Sequence, residues 1–220
     1  SYLFKIRIYF KVIYYMSVYS IQIESYTPNL LLNKDNKLKY GEVITPFSLI
    51  EKIINLLPNE VFLNRKFTWF DPCVGSGNFM IILYKKLYQS LQTEIKEPKK
   101  RHYHIITKML HMIELNPEYS SFLQSLFGEN SNIKIANFLD SDNKKINKKY
   151  DIIIGNPPFN SGGSIKVPTN NTLSKKTDGK SIWMDFIVHS ISLLKKSGYL
   201  VMITPSIWMK RDHKIFNFIR

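Results

Sequence analysis

FTWFDPCVGSGNFMIILYKKLYQSL, residues 67–91, runs from an apolar pentapeptide through a glycine turn into an amphipathic stretch. Residues 67–71 read as a short strand and residues 78–91 as a helix. Gly75 and Gly77 allow a tight turn between them and a close approach of backbone to a ligand. A strand feeding a helix through such a turn is the unit of open α/β sheets, which bind ligands beyond the carboxyl ends of their strands. The dinucleotide fingerprint G-x-G-x-x-G is not completed, because Met80 occupies the third glycine position. A lone G-x-G also suits a purely structural turn; its place between strand and helix favours a ligand site.

The alternation continues on both sides of this stretch. KYGEVITPFSLIEKIINLLP (39–58) reads as a helix with Pro46 near its first turn. MLHMIEL (109–115), IKIANF (133–138), DIIIG (151–155) and YLVMITP (199–205) read as strands, and helices are expected from Pro117 onward and over 181–196. QTEIKEPKKRHYH (92–104) reads as a charged surface loop, and Lys195 and Lys196 as the cationic end of a helix. The strands are near-continuous apolar runs, which implies a parallel sheet covered on both faces. The expected fold is α/β, a mostly parallel doubly wound sheet with five strands.

Composition narrows the function. The chain has 220 residues, 44% hydrophobic and 14% aromatic, enough for one domain with a sizeable core and too apolar for global disorder. Its single cysteine, Cys73, excludes an internal disulfide framework and a zinc cluster, and fits a reducing, cytoplasmic setting. No His/Asp/Glu constellation argues for a metal. The net charge of +14 favours a polyanion partner, nucleic acid foremost, although a solvated lysine-rich surface carries the same charge. Residues 1–37 read as an amino-terminal extension. Lys5, Arg7 and Lys11 interrupt its apolar run, so neither a transmembrane span nor a signal peptide is expected. It contributes an edge strand or helix at most. Met16 is a candidate start, with residues 1–15 as upstream read-through.

The residues after each strand carry the chemistry. Glu114 follows the second strand, where a carboxylate can accept both hydroxyls of a ribose or cap the next helix. Asn137 and Phe138 follow the third, where an amide can read an adenine edge or close a turn. After the fourth comes Asn156-Pro157-Pro158-Phe159. Two prolines end the ladder and fix the backbone, leaving a polar amide and an aromatic ring on a rigid elbow.

FDPCVGSGNF, MIELNP, ANFL and IIGNPPF, preceded by GEVITPFSLIEKII, resemble in this order the S-adenosylmethionine-dependent DNA adenine-N6 methyltransferases. The order is similar to that of the gamma class, including the methylases of type IIG restriction-modification systems. The likeness covers roughly residues 38–210 and implies a Rossmann-like class I methyltransferase fold. It implies that Asp71, Cys73, Gly75 and Gly77 line the methionine part of the cofactor, with Thr45 nearby. Glu114 would hold the ribose, and Asn137 and Phe138 would face the adenine, with Asp140 a substitute for Asn137. It also implies that the Asn156 side-chain oxygen and the Pro157 carbonyl accept hydrogen bonds from an extruded adenine amine. Phe159 would stack on that base. Lys166, Lys175, Lys176 and Lys180, in the polar 160–180 loop, are candidates for phosphate contact.

Two other classes use similar elbows: ribosomal RNA guanine methyltransferases and enzymes that methylate protein glutamine. A non-catalytic nucleic-acid-binding fragment or partner subunit is a third alternative. The resemblance implies a seven-stranded sheet followed by a target-recognition region. Residues 38–220 therefore read as a truncated catalytic domain lacking the carboxyl-terminal strands and that region, with DNA and a specificity partner as expected associates.

Overall fold

In the computed structural model, residues 7–11, 44–140, 148–161 and 181–219 are described. Within them the five expected strands form as β2 (Trp69–Asp71), β3 (Leu110–Glu114), β4 (Asn132–Ile135), β5 (Tyr150–Gly155) and β6 (Leu194–Ile203). A further strand, β1 (Arg7–Lys11), lies in the amino-terminal extension and makes the edge strand anticipated there. The sheet order is β1-β6-β5-β2-β3-β4, and every pairing is parallel. From β2 the chain winds outward to β3 and β4, then returns to β5 on the other side of β2. The gap between the carboxyl ends of β2 and β5 is thus a topological switch point, where an open α/β sheet leaves a crevice.

Strand alternation divides the core into two layers. Trp69, Met112, Ile152, Ile154 and Val201 face one side, against α1 (Phe47–Ile54), α2 (Glu60–Leu63), α3 (Asn78–Ser90) and α5 (Tyr119–Phe127). Phe70, Ile113, Ile153, Leu200 and Met202 face the other, against α6 (Trp183–Leu193) and Ile215 of α7 (Lys214–Ile219). All ten of these strand residues are buried, as the apolar runs imply for a sheet covered on both sides. The helices follow the sequence closely. Pro46 caps α1 in an extended conformation, and Ile50, Ile53 and Ile54 form its buried stripe.

Two local expectations are corrected. The charged 92–104 stretch is not all loop: Pro98–His104 forms helix α4, with Pro98 in its first turn. Arg101 explains the order. Its guanidinium stacks over the Tyr88 ring at 4.1 Å and donates to the Ile95 carbonyl at 2.9 Å, so a charged residue is buried where a solvated loop was expected. Likewise Lys195 and Lys196 do not end a helix. They lie in β6, where Tyr150 pairs with Leu194 and the Lys195 ammonium meets the Asp151 carboxylate at 2.7 Å. The same carboxylate oxygen accepts from the Thr68 amide and hydroxyl, tying the amino ends of β2, β5 and β6 together.

One turn of π-helix (Ile105–Met109) links α4 to β3. Its wide turn leaves carbonyls without regular helical partners. The Asn132 side-chain amide covers two of them, Ile106 and Thr107 at 3.2 and 2.9 Å, and reaches the Leu110 carbonyl at the start of β3 at 3.0 Å. Asn132→Ala is expected to cost about 1–3 kcal/mol of unfolding free energy, because partly buried carbonyls lose their donor. Urea denaturation measures this, and a loss under about 0.5 kcal/mol would mean that solvent replaces the amide.

Candidate active site

A cleft opens at the switch point. Its walls come from the ends of four strands and from α3 and α6: Thr45, Asp71, Cys73, Gly75, Asn78, Glu114, Leu115, Asn137, Phe138, Asn156, Pro158 and Phe186 are among its lining residues. Residues from position 45 to position 186 are brought together because parallel strands all deliver their carboxyl ends to one edge.

The glycine loop and Glu114 are built as a unit. The Gly75 amide donates to Glu114 Oε2 at 2.7 Å, and the Asn116 amide donates to Oε1 at 2.8 Å. These bonds fix the orientation of a carboxylate that is only 6% exposed. A carboxylate in this setting accepts hydrogen bonds only, so a ligand that meets Glu114 must bring a donor such as a hydroxyl. A Cβ on Gly75 would meet nothing within 4 Å, so this backbone faces open space in the cleft. Gly77 has another task. With φ at +87° it caps α3, and a Cβ there would press on Leu123 at 3.1 Å and Phe127 at 3.3 Å. It makes the turn and lets α5 pack closely, and it lies outside the cleft lining.

Asp71 ends β2 and is almost fully buried. Its Oδ1 accepts from the Cys73 amide at 3.0 Å. Burial pushes its pKa up to about 7, the Cys73 hydrogen bonds oppose the rise, and the nearby Glu114 carboxylate adds to it. Burial raises the Cys73 thiol well above its usual range, helped by Asp71 and Glu114. The thiol therefore stays protonated near neutrality and is no nucleophile. Two buried carboxylates beside one opening make the cleft receptive to a cation.

Gly155 joins Asp71 to the elbow. A Cβ at Gly155 would lie 2.7 Å from Asp71 Oδ1 and 3.3 Å from its Cγ. The absence of a side chain at the end of β5 thus makes room for the carboxylate of β2. Gly155→Ala is expected to destabilise the domain by about 1–3 kcal/mol through overpacking, because Asp71 must leave the Cys73 amide to relieve the clash. An unchanged melting temperature would contradict this placement.

The elbow itself divides by exposure. Asn156 and Pro158 line the cleft, Pro157 is buried, and Phe159 is 39% exposed and not among the lining residues. The chain leaving it is held by the Ile182 amide, which donates to the Phe159 carbonyl at 3.1 Å, and by a bridge from Asn160 to Ser181. Asn156 Nδ2 donates to Thr45 Oγ1 at 3.1 Å. Asn137 lines the cleft while its Oδ1 accepts the Leu139 amide at 3.1 Å, so the turn role and the cleft position coexist. Phe138 packs between Phe70 and Phe186, with centroids 5.8 and 5.2 Å away, and presents a buried aromatic wall. Asp140 is not among the cleft-lining residues. The lysines of the 160–180 loop lie outside the described residues.

Sequence reasoning missed Leu115, Asn78 and Phe186. Leu115 directly follows Glu114 and is 49% exposed, which a strand-end apolar residue could have signalled. Asn78 sits beside the glycines and was readable as part of the loop. Phe186 looks like any core residue of an amphipathic helix, and only packing brings it to the cleft. Among the described residues, no group of three or more His, Cys, Asp or Glu could hold a metal ion, and no helix is long and apolar enough to cross a membrane.

Comparison with known proteins identifies relatives of the chain. An uncharacterized adenine-specific methylase of Mycoplasma pneumoniae is 24% identical over 267 residues, covering 87% of this chain and 61% of the relative. The type II methyltransferase M.VspI of a Vibrio species is 28% identical over 173 residues, covering 77% of this chain and 38% of the relative. The chain thus spans less than two thirds of either curated relative. In the cryoEM structure of the DrdV–DNA complex, a matching chain superposes with a TM-score of 0.58 at 16% identity, over 82% of this chain and 22% of that one, which speaks for the fold alone. The Eco57I restriction-modification methylase pattern matches residues 13–220, nearly the whole sequence and every element that lines the cleft, and the chain belongs to that family.

Proposed function

We propose that residues 38–220 are the catalytic unit of a DNA methyltransferase that moves a methyl group from S-adenosylmethionine to the N6 amine of adenine. The observation that carries this reading is the juxtaposition of Asn156 with a cleft holding two buried carboxylates, Asp71 and Glu114. The cleft suits the cofactor on its own chemistry. Asp71 offers a negative partner to the α-ammonium of the amino-acid end, Glu114 offers a carboxylate acceptor to ribose hydroxyls, and Leu115, Asn137 and Phe138 offer apolar and amide contacts to a flat ring. When bound, S-adenosylmethionine supplies an electrophilic methyl on a sulfonium.

The protein's part is positioning and polarisation. An exocyclic adenine amine is a weak nucleophile because its lone pair is delocalised into the ring. Asn156 Oδ1 and the Pro157 carbonyl accept its two hydrogens and favour the pyramidal, nucleophilic form. The prolines hold these acceptors ready, so little reorganisation remains at the transition state. Phe159, exposed directly after the lining residue Pro158, stacks on the extruded base for about 1–3 kcal/mol. That offsets part of the few kcal/mol needed to unstack it. The net charge of +14 draws the chain to duplex phosphates. The greater length of the relatives supports placing target recognition in a separate region or subunit.

The test is transfer of labelled methyl to unmethylated duplex DNA, with ribosomal RNA and a release-factor glutamine substrate in parallel. Label at DNA adenine N6 supports the reading. Label only on RNA or glutamine would move the chain to those classes. Binding of DNA without cofactor binding would make it a non-catalytic nucleic-acid partner.

A further inference from the structure

Three polar side chains connect the glycine loop to the elbow. Ser76 Oγ donates to Asn78 Oδ1 at 3.2 Å, Asn78 Nδ2 donates to the Thr45 carbonyl at 3.0 Å, and Thr45 Oγ1 accepts from Asn156 Nδ2 at 3.1 Å. Thr45 is 6% exposed, and its backbone is restricted to extended conformations by the following Pro46. Its hydroxyl is therefore held at one place on the cleft wall.

We propose that Thr45 is a positioning residue: by accepting the Asn156 amide hydrogen, it turns Asn156 Oδ1 toward the substrate amine, and Asn78 holds Thr45 in place from the glycine loop. The inference rests on the function proposed above. An asparagine amide has two ends of opposite polarity and nearly equal shape. Methyl transfer as proposed needs the oxygen end aimed at the amine. Flipped by 180°, Asn156 would present a donor to a donor. With the nitrogen end spent on the Thr45 hydroxyl, the oxygen end is left for the amine before substrate arrives, which is preorganisation of an acceptor rather than direct substrate contact. Because Asn78 is the first residue of α3, the same chain of bonds links cofactor loop and catalytic amide. Thr45 thus does more than border the cofactor.

The test compares wild type with Thr45→Val, which keeps shape and removes the acceptor, and Thr45→Ser, which keeps the acceptor. At saturating cofactor and DNA, Thr45→Val is expected to lower kcat by about tenfold, the order one neutral hydrogen bond supports. Any loss of cofactor affinity should be smaller than the loss in kcat, and Thr45→Ser should restore kcat. In parallel, the side-chain amide resonances of Asn156 in ¹⁵N-labelled protein, assigned by their loss in Asn156→Ala, should shift in Thr45→Val and not in Thr45→Ser. Unchanged kcat with weakened cofactor binding would overturn the inference and make Thr45 a cofactor contact. Equal losses in Val and Ser variants, or amide resonances indifferent to Thr45→Val, would overturn it too. If wild type transfers no methyl to DNA, the functional reading fails, and the amide resonances alone still decide whether Thr45 orients Asn156.

Discussion

Asn156→Ala is expected to reduce methyl transfer by roughly 10²–10³-fold at saturating cofactor and DNA, the loss seen when one preorganised polar group is removed from a transition state. Asn156 lies at the end of β5 on a backbone braced by two prolines, so truncation should leave the fold intact. Its side-chain amide bonds to Thr45 at 3.1 Å and takes no part in the Asp71–Cys73 and Glu114–Gly75 hydrogen bonds. Cofactor affinity should therefore hold while kcat collapses. Single-turnover transfer and cofactor titration on the same preparation separate the two. A variant that retained transfer within about threefold would show that no acceptor is needed at this position, since that loss is below 1 kcal/mol.

Asp71→Asn is the second large expectation, and pH is its signature. The Asp71 carboxyl has a pKa near 7 in the folded chain against 3.8 for the ordinary group, chiefly because burial penalises its charge. An acid raised on folding binds its proton more tightly in the native state. Its favourable contribution is therefore present below about pH 4 and is lost as pH rises toward 7. The shift of about three units corresponds to a loss on the order of 4 kcal/mol across that window. Asp71→Asn removes this slope, so wild type minus variant stability should fall between pH 4 and 7 and level off above. A cationic ligand reverses the balance, because it favours the ionised carboxylate. S-adenosylmethionine binding to wild type should weaken as pH drops below 7 and release a proton near neutrality. Asp71→Asn should bind at least tenfold more weakly at pH 8, the cost of about one charge-assisted hydrogen bond, and show no such pH dependence. Calorimetry in buffers of different ionisation enthalpy reads the proton directly. Pure enthalpy differences with no proton release would place the cationic group elsewhere.

Much of this site was legible because its chemistry sits at strand ends. Asp71, Glu114, Asn137 and Asn156 each follow an apolar run, and a parallel sheet must send those ends to one edge. The errors fell where tertiary partners override local pattern. The 92–104 stretch has the charge of a loop, yet Tyr88 and the Ile95 carbonyl give Arg101 a buried seat and Pro98 starts a helix. Lys195 has the look of a helix end, yet Asp151, 44 residues earlier, draws it into β6.

What the sequence determined by itself was the class: alternating buried strands and amphipathic helices, a glycine turn at one strand end and a proline elbow at another. Period and backbone restriction are local properties, written in consecutive residues. Only the tertiary structure decided the rest: that β5 returns to lie beside β2, that Gly155 is empty to make room for the Asp71 carboxylate, and that Thr45 meets Asn156 across 111 residues of chain. Those are distances between remote residues, set by how the layers pack, and no local pattern encodes them.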